Sequence, residues 1–160
     1  MTTLEDRVGA LEKAVRNLSD QLDLFRLTAS FAPCVDSGDG EATANLWIED
    51  GVYQTDVGRY DGRKEIAAMV RGAANLDVIK AGSGHVVTMP RLTITGDEAV
   101  GVGHALLFVR DGDGYRTWRL SANRWDYVRT PEGWRIKHRT NQLLDASEKG
   151  RQMFAVASKD

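Results

Sequence analysis

The sequence predicts an α+β fold in which N-terminal helices cover one face of a curved, mostly antiparallel sheet, and three observations carry that expectation. An apolar series at helical spacing runs from Leu4 to Ala32. After residue 84 the apolar period changes to two. The four alternating segments beyond that point are separated by turn-forming runs, Gly96-Asp97, Asp111-Gly112-Asp113-Gly114 and Pro131-Glu132-Gly133. Helices first and strands afterwards form an antiparallel meander with helices on one side.

Leu4, Val8, Leu11, Val15, Leu18, Leu22, Phe25, Ala29 and Ala32 follow one another in steps of four and three, the seam of an amphipathic helix or short coiled coil. A long helix over 1–36 is therefore expected. The next step of four lands on Asp36, which keeps its carboxylate near the apolar face even after the drift of a straight helix. An anion there also opposes the helix dipole. Pro33 and Gly38 mark the end of the helix. A second short helix is expected over 41–48, a strand over 51–55, and a helix over 63–71 with Ile66, Met69 and Val70 on one side. Residues 72–84 read as a loop. Segments 85–95, 98–110, 115–129 and 134–143 read as strands, together a meander spanning 84–143. The tail, 145–160, reads as a loose or partner-docked helix. The whole chain, 1–160, reads as a single domain.

Bulk composition narrows the function classes. A chain of 160 residues with 42% hydrophobic and 28% charged residues has the makeup of a soluble globular protein, and one core suffices for it. A formal charge of −2 does not favour nucleic acid as a partner, despite the Arg and Trp alternation at 116–124. The single cysteine, Cys34, excludes an internal disulfide framework. No apolar run is long enough to span a membrane and the start lacks a signal-peptide pattern, so a cytoplasmic protein is expected. Gly101-Val102-Gly103 lacks the third glycine of a dinucleotide fingerprint, and Gly82-Ser83-Gly84 lacks GxSxG spacing. His85, His104 and His138 have no metal-ligand spacing, so neither a metal nor another cofactor is expected.

Strand parity suggests a pocket. Val100, Val102, His104, Leu106, Phe108 and Arg110 share one face and are expected to line a concave interior, while the small residues of the other face let a second layer approach. On the next strand Ser121, Asn123 and Trp125 share a parity, and on the last Ile136 and His138 do. A curved sheet with polar groups among inward apolar ones outlines a small-molecule site.

The order of VDSGDGEATANLWIEDGVY, YDGRKEI, GSGHVV and EGWRIKHR resembles the nuclear transport factor 2-like superfamily. Within it, the chain resembles the SnoaL-like group that includes scytalone dehydratase, bile-acid 7α-dehydratase and hexachlorocyclohexane dehydrochlorinase. The resemblance implies a cone-shaped α+β barrel with a catalytic acid on the first long helix and a histidine opening a sheet strand. Asp36 and His85 hold those places, Tyr53 matches a pocket tyrosine, and Ser121 and Asn123 match inward polar residues. Val35 and Arg110 depart from the dehydratase pattern, standing at or near the places of a second tyrosine and a second histidine.

The expected function is a cofactor-independent lyase or isomerase in which His85 removes a proton, Asp36 orients it, and Tyr53 bonds to a substrate oxygen. The expected substrate is a hydrophobic, oxygenated cyclic molecule, with His104, Phe108, Arg110, Ser121, Asn123, Trp125, Ile136 and His138 as candidate contacts. Dehydration is the first choice of reaction, with double-bond isomerisation and aldol-type cyclisation as alternatives. A non-catalytic ligand-binding or oxygenase small-subunit-like domain is the rival from another class. The long seam and the related dehydratases suggest a homo-oligomer, a trimer before a dimer.

Overall fold

The first helix organises the molecule. The computed structural model describes residues 2–155, and α1 (Leu4–Asp36) takes up 33 of them. Its start is fixed by a capping box: the Asp6 N–H donates to the Thr3 hydroxyl at 3.1 Å, and the Thr3 N–H donates to the Asp6 carboxylate at 2.9 Å. The helix runs through Pro33, and Gly38 at φ +72° ends it.

The seam expected along α1 divides in two. Leu4, Val8, Leu11, Val15 and Leu18 remain exposed because residues 2–19 stand clear of the rest of the chain, and Leu22, beyond them, is exposed as well. From Leu24 onward the buried row comprises Leu24, Thr28, Phe31, Ala32 and Val35, so Ala32 is buried as expected while Leu24 and Thr28 replace the expected Phe25 and Ala29 one position earlier. Tertiary contacts select that row: the Thr28 and Tyr127 hydroxyls are 2.6 Å apart, and Phe31 enters the aromatic core. The division falls near Asp20, whose carboxylate accepts from Arg129 Nη1 and Nη2 at 2.8 and 2.7 Å and from the Trp134 indole N–H at 3.0 Å.

Five residues form α2 (Gly40–Ala44), shorter than expected because Trp47 already belongs to β1 (Trp47–Gln54). β2 (Arg59–Asp61) folds back on β1 and leads into α3 (Gly62–Arg71), which buries Ile66, Ala67 and Val70. Residues 73–81 form α4 (Ala73–Ala81), not a loop, but this helix buries none of its side chains. Its periodicity is correspondingly weak, which is why the segment resembles a loop in sequence.

The expected first strand of the meander is two strands, β3 (Ser83–Val87) and β4 (Arg91–Thr95), because residues 88–90, which include Pro90, interrupt it. Both pair with β5 (Glu98–Asp111), β3 at its end and β4 at its start. β6 (Gly114–Thr130) and β7 (Gly133–Leu143) complete an open sheet of order β2-β1-β7-β6-β5-β3. All pairings are antiparallel except β1 with β7. α5 (Glu148–Ala155) follows, and residues of the expected tail beyond it lie outside those described. No helix among the described residues is long and apolar enough to cross a membrane.

Two features of the sheet correct the expected faces. The inward side of β5 is the small-residue parity: Ala99, Gly101, Ala105 and Leu107 stand opposite Tyr127, Trp125, Ser121 and Arg119. Large side chains on both strands could not share that layer, and Pro90 and Thr88 from the β3–β4 connection approach Gly101 and Gly103 there. The second feature is a β-bulge in β7. Tyr127 pairs with Ile136 but Asp126 pairs with His138, which leaves Lys137 as the extra residue. Trp134 and Ile136 face inward before the bulge, and Arg139 and Asn141 do so after it. The bulge thus turns His138 outward and Arg139 inward.

The Asp20 cluster ties the emerging half of α1 to the β6–β7 hairpin. The Arg129 bond holds the Asp20 carboxyl below the usual carboxylate range, outweighing burial. A lowered acid contributes stability above its unfolded pKa, lost as pH falls through the folded value. Asp20→Asn is therefore expected to cost about 1 kcal/mol near neutral pH, with the difference from wild type closing in acid. Urea unfolding across that range checks both parts.

Candidate active site

α1 and β3 bring the acid and the imidazole together. Asp36 is the last residue of α1, and its neighbour Val35 is buried while Asp36 is partly open. No basic residue occupies the last helical turn to offset the dipole. Compensation comes from His85 on β3, whose backbone N–H donates to Asp36 Oδ2 at 2.8 Å and whose Nδ1 lies 2.6 Å from Oδ1. A carboxylate can only accept, so the proton of the neutral imidazole sits on Nδ1, leaving Nε2 with a lone pair. α4 ends at Gly82, where φ +90° would strain any residue with a Cβ, and β3 begins directly after it.

His85 forms part of the wall of a cavity of about 260 Å³ lined also by Tyr53, Met69, Val78, Leu107, Ser121 and Arg139. That volume lies near the lower end of small-molecule pockets, ~300 Å³. α4, unforeseen in the sequence, covers it with Ala74, Asn75 and Val78. Arg119 also lines the wall and is paired with Asp56.

The expected site residues separate into three groups. Asp36, His85, Tyr53 and Ser121 are brought to or against the cavity, and Asn123 is buried next to it through Arg139 and Asn141. Trp125 and Ile136 face inward but belong to the core beneath. His104, Phe108, Arg110 and His138 do not line the cavity. His104 is exposed, with its ring tilted against Phe154 of α5 at a centroid distance of 4.7 Å, and Arg110 is exposed and donates to the Gly112 carbonyl. His138 points to the opposite side near Asp126 and Arg124, where burial lowers its pKa. Among the described residues no group of three or more His, Cys, Asp or Glu side chains could hold a metal ion.

Arg139 and Asn141 are the residues that sequence reasoning missed. Arg139 is 1% exposed, and its Nε and Nη2 donate to Asn123 Oδ1 at 2.9 and 2.7 Å. Asn141 Nδ2 donates to Ser121 Oγ at 3.2 Å and to Asn123 Oδ1 at 3.3 Å. The guanidinium carbon lies 3.7 Å from the centroid of Phe31, 4.2 Å from Trp125 and 4.7 Å from Tyr53. Burial pushes its pKa down, but a guanidinium still stays charged. The shared parity of Arg139 with Asn141 is visible in the sequence, but only the bulge at Lys137 directs that parity inward.

An open, curved sheet flanked by helices is the fold of nuclear transport factor 2-like proteins. The family model described as SnoaL-like domain matches residues 16–140, and the chain belongs to that family. Among solved structures, an NTF2-like protein with a cystatin-like fold from Novosphingobium aromaticivorans is 35% identical, with a TM-score of 0.89, covering 96% of this chain and 97% of its own. A Mycobacterium tuberculosis protein of unknown function is 18% identical with a TM-score of 0.73, covering 91% of this chain and 92% of its own. A Novosphingobium aromaticivorans protein named as the beta subunit of a candidate aromatic-ring-hydroxylating dioxygenase shares the fold at 20% identity and a TM-score of 0.64, covering 81% of this chain and 91% of its own. A search of curated proteins finds no match.

The Asp36 contact fixes the His85 tautomer, and nitrogen NMR reads that directly. Wild type is expected to show the neutral ring protonated on Nδ1. In Asp36→Asn the side-chain carbonyl can serve only one of the two N–H groups well, and the ring should become a mixture of tautomers.

Proposed function

We propose that this SnoaL-like protein is a cofactor-independent lyase or isomerase in which His85 Nε2 removes a proton from a carbon of a cyclic, oxygenated substrate. The observation that carries the reading is the 2.6 Å contact of His85 Nδ1 with Asp36 at the wall of a largely apolar cavity. Asp36 orients the ring and balances the imidazolium formed on proton transfer. Tyr53, 8% exposed and part of the wall, supplies a hydroxyl for a substrate oxygen. Dehydration is the preferred outcome: the pair from the broken C–H bond forms the new C=C bond as a C–O bond breaks. The departing hydroxide leaves as water on taking the proton from His85. Isomerisation and aldol-type cyclisation begin with the same abstraction.

Hydrogen–deuterium exchange into a panel of cyclic ketones tests the base without knowledge of the natural substrate. Wild type should speed exchange beside the carbonyl, and His85→Gln should lose about 10²- to 10⁴-fold of that rate. Asp36→Asn should fall steeply as well while remaining folded. A chain that acts only as an oxygenase-type partner subunit would give no exchange.

The exposed row from Leu4 to Leu22 supports self-association as part of the same proposal. Its 4,3 spacing suits a second copy of the same helix. Light scattering should show a species above 17.7 kDa, and Leu11→Glu with Leu18→Glu should return it to that mass without loss of the fold.

A further inference from the structure

Of the charged side chains in the cavity wall, His85 has Asp36 and Arg119 has Asp56, while Arg139 has no carboxylate partner among the described residues. Its Nε and Nη2 are both committed to Asn123 Oδ1. Nη1 is buried without a partner, and so is Asn123 Nδ2. Three aromatic faces surround the cation, but ring quadrupoles offset only part of the cost of removing it from water. The site is one negative charge short.

From this geometry we infer that Arg139 receives a single anionic oxygen of the substrate, the enolate oxygen of a cyclic carbonyl compound or the phenolate of an aromatic analogue. The inference rests on the reading of His85 as the base. A carboxylate is best held by two parallel N–H donors, and Asn123 already occupies the Nε–Nη2 edge of Arg139, one of its two edges that present such a pair, and draws on Nη2 of the other. Nη1 remains for one oxygen. Phe31 relates the two groups in space: its ring centroid is 3.7 Å from the Arg139 guanidinium carbon and 6.3 Å from the His85 ring centroid. When His85 Nε2 takes a proton from the carbon beside the carbonyl, the C–H pair becomes a C=C bond and the carbonyl π pair moves to oxygen. The charge that develops there is the one Arg139 lacks, and it develops after binding, so the interaction favours the reacting state over the bound ketone.

The probe is para-nitrophenol, whose absorption distinguishes the bound phenolate from the phenol, titrated into His85→Gln so that no imidazolium supplies the charge. Phenolate should be the preferred bound form in this background. Adding Arg139→Met should weaken it by about 10- to 100-fold, the scale of a hydrogen bond to a charged group, with the neutral phenol affected far less. Asn123→Asp, which gives the cation an internal partner at nearly the same shape, should abolish the preference while the protein stays folded. It therefore decides the matter even if Arg139→Met unfolds. Equal phenolate binding with and without Arg139 or in Asn123→Asp would overturn the inference, as would benzoate displacing the phenolate in an Arg139-dependent way. Ketone exchange by wild type without phenolate preference would remove the anion site and leave the base. Phenolate preference without exchange would remove the base and leave the anion site.

Discussion

The guanidinium of Arg139 is the constraint around which the fold closes. Four elements meet on it: α1 through Phe31, β1 through Tyr53, β6 through Trp125 and Asn123, and β7 through Arg139 itself. A buried ion costs several kcal/mol even after relaxation. A desolvated cation over an aromatic face recovers about 2 kcal/mol, and the charged bonds to Asn123 add to that. The rings must therefore hold their distances, and the packing of α1 on the sheet follows from that requirement. Tyr53 and Trp125 are also the lateral neighbours of Arg139 in the strand register. The cage is thus built into the pairing of three adjacent strands and closed by one helix.

Asp36 shows the same economy at the other end of the cavity. Its helix delivers an anion at the wrong pole of the dipole, and the strand that answers it supplies both a backbone and a side-chain donor. Two unfavourable charges, one of each sign, are thus held against one apolar space. Such arrangements are retained at sites of chemistry more readily than in structural cores. The interior polar residues Ser121, Asn123 and Asn141 form one connected hydrogen-bond group beside Arg139.

Much of this was legible in the sequence because it depended on order and on element ends. The helices-then-meander plan, the acid at the end of the first helix and the histidine opening a strand all survive small errors of register. Parity does not. His138 and Arg139 exchange faces through one extra residue, Lys137, that no alternation of apolar and polar residues signals. β5 misled for a different reason: the larger side chains were expected inside, yet Gly101 and Gly103 are needed where Pro90 and Thr88 cross close by. α1 obeyed its spacing but changed faces, because only residues beyond Asp20 have a sheet to pack on. α4 lacked a sequence signal altogether, since a helix with no buried side chain leaves little periodic trace.

The bulge in β7 also bears on how such a pocket diversifies. Inward and outward positions on a strand are a reading frame of two, and Lys137 sets the frame for everything after Ile136. A cavity presenting a permanent cation and one presenting a titratable ring differ here by the length of a strand and not by the identity of any residue in it. Loss of Lys137 would remove the bulge and leave Arg139 inward, whereas gain of one residue beside it would carry His138 inward in place of Arg139 and rewrite the charge of the site in a single event.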